Sequence, residues 1–149
     1  MEDPAAVARE IIDANQYMVL ATADEAGRPW ISPVWFAHDR YRSFLWLSRP
    51  GRKHSQLISD RREVAITIFD SRQRIGTGYG VTMSAVAGVL DGPELAAAAE
   101  IVSRRSVEHG GGMFSVEMFE AAASLRLYRA VATEQFVIMG NDERVPIAL

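Results

Sequence analysis

Cysteine is absent from all 149 residues. That absence excludes disulfide scaffolds, thiolate zinc sites, iron–sulfur clusters and cysteine nucleophiles. Long apolar runs are missing too, so no transmembrane helix and no membrane partner are expected. The segment from Met1 to Arg9 carries Glu2 and Asp3 and lacks a basic stretch followed by an apolar one. This speaks against a secretory leader and for a cytoplasmic protein. Histidine is scarce: His38, His54 and His109 lie far apart in sequence, and no local metal pair is expected. There is no Gly-x-Ser-x-Gly elbow and no Walker-type glycine–lysine–serine run, so neither a serine hydrolase nor a P-loop enzyme has support. With 16 Lys+Arg against 19 Asp+Glu, the net charge of −3 excludes a strongly basic nucleic-acid binder.

What remains is an ordinary globular composition, 48% hydrophobic and 23% charged, in a length that suits one domain over 1–149. Asp3-Pro4 is a helix-start signal, and Val7, Ile11 and Ile12 extend it as an amphipathic helix from Pro4 to Asn15. Tyr17 to Ala23 and Arg28 to Ala37 read as a hairpin about the Asp24–Gly27 turn, with Pro33 marking an edge or a bulge. A turn at His38-Asp39-Arg40 leads to a strand from Tyr41 to Ser48, broken by Pro50-Gly51. A short helix from Arg52 to Ser59 follows. Glu63 to Asp70 reads as a strand buried on both faces, and Val81 to Leu90 as another beyond a polar loop. Glu94 to Arg105 is an alanine-rich helix, Glu108 to Gly112 a flexible loop, and Val116 to Ala123 a short helix. Leu125 to Ile138 is a long strand, and Arg144 to Leu149 a tail that can add a short edge strand. Strands joined by short turns predict a mainly β (α+β) fold, an antiparallel barrel flanked by helices.

Gly76-Thr-Gly78-Tyr-Gly80 fails the dinucleotide fingerprint, because Val81 stands where a third glycine is needed and a strand follows instead of a helix. It reads as a loop. The segment Arg49-Pro-Gly-Arg52-Lys53-His54-Ser55 is more informative. Two cations and a hydroxyl at a helix start can form a phosphate site, or simply a solvated turn. Arg61-Arg62 reads as a surface turn. Trp30 and Trp35 fall on opposite faces of one strand, so they and Trp46 cannot share a single core face. One of the three flanks a planar ligand or a subunit interface, or all serve ordinary packing.

Taken in order, Tyr17-Met-Val-Leu-Ala-Thr-Ala, Gly27-Arg-Pro-Trp-Ile-Ser-Pro-Val-Trp35, Phe44-Leu-Trp-Leu-Ser48, Arg52-Lys-His-Ser-Gln-Leu57 and Arg62-Glu-Val-Ala-Ile-Thr-Ile-Phe69 resemble the pyridoxamine 5′-phosphate oxidase-like flavin-binding split-barrel family. The resemblance implies a six-stranded antiparallel split β-barrel and a homodimer binding FMN in grooves between subunits. Relatives that use a deazaflavin coenzyme, and others that bind haem, leave those cofactors, or a module without turnover, as alternatives. Carried over, Ser32, Pro33, Val34 and Trp35 lie beside the isoalloxazine, and Trp46, Leu47 and Ser48 line the ribityl and phosphate end. Arg52 and Lys53 hold the phosphate, with His54 and Ser55 at the helix start. Arg49, Arg72 and Arg74 are the cations available to a longer acidic coenzyme tail. The function implied is a flavin-dependent oxidoreductase acting on a small molecule, with the redox chemistry carried by the coenzyme. Pyridoxamine phosphate is not the expected substrate. The C-terminal Arg/His region of the oxidase is missing, Trp35 stands where it has a basic residue, and no second basic cluster is placed in the groove.

Overall fold

The computed structural model describes residues 2–120 and 125–149. Helix α1 spans Pro4–Ala14, and the Asp3 side chain accepts the Ala5 N–H at 3.2 Å. Strands β1 (Tyr17–Ala23) and β2 (Pro29–Trp35) form the expected hairpin, with Tyr17 opposite Trp35 and Ala23 opposite Pro29. Then come β3 (Ala37–Asp39), β4 (Ser43–Ser48), α2 (Lys53–Asp60), β5 (Glu63–Phe69) and β6 (Gly80–Val89). Helices α3 (Pro93–Glu108) and α4 (Val116–Glu120) precede β7 (Arg126–Ile138) and β8 (Arg144–Ile147). The predicted end of the α4 helix, Ala121–Ala123, lies outside the described residues.

All strands join one antiparallel sheet in the order β2-β1-β5-β6-β7-β4-β3, with β8 added beside β7. The two ends of that order are consecutive in the chain, separated by Phe36 alone. The sheet therefore rolls up until β2 and β3 meet, and the chain itself bridges the seam. Phe36 is fully buried, and its N–H donates to the Gln16 carbonyl at 3.2 Å. Pro33 sits on edge strand β2, where a missing N–H is tolerated. This is the split barrel the sequence predicts, with eight strands in place of six. The extra two arise because the predicted Arg28–Ala37 strand breaks at the seam and because the tail pairs as β8.

Three local expectations are corrected. His38 and Asp39 belong to β3, and the chain turns at Arg40 and Tyr41, both left-handed at φ 52° and 57°. Their turn is held by side chains: His38 Nδ1 accepts the Tyr41 N–H at 3.1 Å, and the Tyr41 hydroxyl donates to Asp13 at 2.8 Å. Strand β5 is buried on one face only, because its outward residues Ala65, Thr67 and Phe69 have no element packed over them. The glycine run after α3 is a helix cap. Gly110, at φ +84°, donates to the Val107 carbonyl, and Gly111 donates to Ser106 at 2.8 Å, the reciprocal pair of a Schellman motif.

Two apolar clusters result. Met18, Leu20, Phe44, Trp46, Ile66, Ile68 and Met83 fill the barrel, closed off by α1 and α2 through Ile12 and Ile58. Leu45, Leu95, Val102, Phe119 and Leu127 form a second cluster beneath α3 and α4. Strand β4 serves both, because alternation sends Phe44 and Trp46 inward and Leu45 outward. Among the described residues no helix is long and apolar enough to cross a membrane.

Candidate functional site

The break at Pro50-Gly51 lets the chain leave β4 and start α2 directly beside the end of β2. Arg52 is the N-cap residue, with extended backbone and no side-chain cap. The first N–H groups of a helix have no partner within it and present partial positive charge. Around them, Ser55 Oγ donates to Ser48 Oγ at 3.1 Å, and Ser48 Oγ lies 2.9 Å from His54 Nε2. Burial and the neighbouring Arg52 charge push the His54 imidazole below its ordinary value. The three side chains thus lie in one hydrogen-bonded cluster, Ser55 and His54 each within reach of the Ser48 hydroxyl. Lys53 reaches over the exposed face of Trp30, its Nζ 4.2 Å from the ring centroid, a cation–π contact.

Ile31, the residue after Trp30, lines a basin of about 310 Å³ on the outer face of the sheet. Its floor is made of small side chains: Ala21, Ala65, Thr67, Thr82 and Ser84. The pairings Ala21 with Ala65, Ala65 with Ser84, and Thr67 with Thr82 place them on adjacent strands. The rim is large: Ile31 is 65% exposed on one side, and Phe136 with Arg144 stands on the other. A flat floor of small residues between bulky walls suits a planar ring, whereas the cations and N–H groups that suit a phosphate stand at the α2 start, beside Trp30 on the other face of β2.

The structure sorts the expected site residues. Ser48, Arg52, Lys53, His54 and Ser55 come together at the α2 N-terminus. Pro33 lies on the outer face of β2 beside Val19. Ser32 shares the inward face with Val34, which is part of the barrel core. Trp46 is fully buried there and stacks on Tyr128, while Leu47 packs on the second cluster. Trp35 turns toward α3, where its indole N–H donates to His109 Nδ1 at 3.0 Å. Trp30, and not Trp46, is the tryptophan at the basic corner. Three of the other arginines are engaged: Arg61 with the Asp24 carbonyl, Arg62 with that of Ala87, and Arg72 with the Asp70 carboxylate. Among the described residues no group of three potential ligands could hold a metal ion. The basin floor escaped sequence reasoning, although alternating small outward residues in β5 and β6 were its available signal.

The family model described as "Pyridoxamine 5'-phosphate oxidase" matches residues 5–133. No curated protein sequence matches the chain. Among solved structures, it is similar to HutZ, the haem storage protein of Vibrio cholerae, with 18% identity and a TM-score of 0.75 over 96% of this chain and 100% of that one. It is also similar to a haem-binding protein of Mycobacterium smegmatis, with 17% identity and a TM-score of 0.79. That match covers 99% of this chain but only 59% of its counterpart. A Clostridium acetobutylicum protein related to general stress protein 26 of B. subtilis, of the pyridoxinephosphate oxidase family, matches with 10% identity and a TM-score of 0.67, over 95% and 91% of the two chains.

Proposed function

Because this chain belongs to the pyridoxamine 5′-phosphate oxidase family, we propose that it is a flavin-dependent oxidoreductase that binds FMN between two copies of itself and acts on a small molecule other than pyridoxamine phosphate. The observation that carries this reading is the gathering of Arg52, Lys53, Ser48, His54 and Ser55 at the α2 N-terminus. The coenzyme, when bound, supplies hydride or electron transfer. The chain's own residues do the rest. Arg52 and Lys53 offer charge to the phosphate, and the first N–H groups of α2 add donors. The Ser55, Ser48 and His54 cluster stiffens that turn without adding a third positive charge to it. The small floor allows close approach of one ring face, and a second copy over the basin excludes water from the other side.

Lys53 leaves the face of Trp30 when it turns to a phosphate, which makes Trp30 a reporter. Addition of FMN to the purified chain is expected to quench tryptophan emission and to give a bound flavin spectrum. Lys53→Ala should weaken FMN binding about tenfold or more, the size of one charge-assisted contact, while Arg61→Ala leaves it unchanged. Equal affinities for the two variants, or no flavin binding at all, overturn the reading. A deazaflavin coenzyme titrated in parallel tests the alternative with the same phosphate contact, for which Arg49 and Arg74 are the exposed cations nearby in sequence.

Haem is the second reading, favoured by the likeness to the two haem proteins. The histidines here are partly committed: His38 uses both nitrogens, on Asp13 and on Tyr41, and His54 and His109 each use one. A Soret band after haem addition that is lost in His54→Ala or His109→Ala would support haem over FMN.

A further inference from the structure

One feature of the basin is not explained by a coenzyme phosphate at the α2 N-terminus. Arg144 opens β8 opposite Ile138, and Phe136 lies two pairs further along β7 opposite Pro146, so both point outward from the same face. The Arg144 guanidinium lies 5.9 Å from the Phe136 ring centroid, and both line the basin. Arg144 is exposed, and no ion pair is seen for it among the described residues. Four strand steps separate β2 from β7 in the sheet, roughly 19 Å at normal strand spacing. The basin's own cation is Arg144, whereas Lys53 and Arg52 stand at the α2 start, beside Trp30 on the opposite face of β2.

We propose that Phe136 and Arg144 form a recognition site for a planar organic carboxylate, the aromatic ring stacking on Phe136 and the carboxylate taken by Arg144. Guanidinium matches a carboxylate with two parallel hydrogen bonds, and one arginine balances one negative charge. A phosphate monoester, close to doubly charged near neutral pH, would need a second cation there, and among the described residues the basin lining offers Arg144 alone. The assignment deepens the oxidoreductase reading and rests on it only in treating the carboxylate as the substrate; the binding itself requires no coenzyme.

The test uses the full chain and two isosteric probes, 2-naphthoate and neutral 2-naphthamide, titrated by calorimetry with and without FMN. The naphthoate is expected to bind at least about tenfold more tightly than the amide, the contribution of a charge-assisted pair. Arg144→Gln should erase that preference, and Phe136→Leu should weaken both probes together. Arg144→Lys, which keeps the charge but loses the fork, should retain part of the preference. Equal binding of the two probes to the native chain overturns the proposal. So does failure of both to bind, or a preference that survives Arg144→Gln in a variant with unchanged melting temperature. If the preference is found but FMN does not bind, the carboxylate site stands and the flavin reading falls; FMN binding without the preference has the opposite meaning.

Discussion

Lys53 and His54 are neighbours in the first turn of α2, and the site asks opposite things of them. Lys53 reaches outward over Trp30 as a cation, whereas His54 is pushed toward its neutral form by burial and by Arg52. A histidine with a lowered folded-state value binds fewer protons folded than unfolded. Its contribution to stability is therefore whole above the unfolded value of about 6.5 and is lost as pH falls below it. His109 shifts in the same direction, through burial and the Arg105 charge. Asp24 and Asp70 are lowered as well, but carboxylates lose their contribution only at much lower pH. The melting temperature of the native chain should therefore fall between about pH 7.5 and about 5.5, and fall less in His54→Gln. Differential scanning across that range checks this, and parallel curves for the two proteins would show that His54 is not the titrating group.

Among the elements, α3 shows most clearly how a stop signal does structural work. Its last turn carries His109 to the indole of Trp35, and the chain then reverses through Gly110 and Gly111. A Cβ on Gly111 would fall 2.5 Å from Ser106 Oγ, and Gly110 holds a left-handed φ. Gly112 meets nothing within 4 Å and is free of both constraints. Gly110→Ala should destabilise the protein by roughly 1 kcal/mol, the usual cost of an L-residue in that conformation, while Gly112→Ala should be close to neutral. Urea titrations that compare midpoints at constant slope read the difference. A chain with three adjacent glycines looks like a flexible connector in sequence. Only the position of the helix end shows that two of them terminate it.

For the whole molecule, the outer face of the sheet is the open question of packing. Tyr17, Ile31 and Phe69 are 60%, 65% and 46% exposed on strands β1, β2 and β5, around the small floor of the basin. An exposed sheet face carrying several large apolar side chains is normally covered by a partner, and the reading proposed above places a second copy on it. A stable pair should bury more than about 1,000 Å² in total. Sedimentation equilibrium at micromolar concentration is expected to show a dimer, and Ala65→Glu, a charge at the centre of the floor, should shift it to monomer. A native chain that sediments only as monomer would remove both the dimer and the shared groove.

The sequence by itself determined the antiparallel barrel and its hairpin, because strand alternation and turn residues act over a few neighbours. It also marked the Arg52–Ser55 corner, since the break at Pro50-Gly51 and the helix start are local signals. Tertiary structure alone decided which alternating face is inside. That choice sends Trp46 and Val34 into the barrel and leaves Trp30 at the basic corner. It also decided the seam at Phe36 and the basin between Ile31 and Arg144, which join strands distant in sequence. The physical reason is that a strand's pattern defines two faces but not what covers each of them. In this protein α1 and α2 close the barrel interior and α3 and α4 cover only the β4 side, so the opposite outer face stays open.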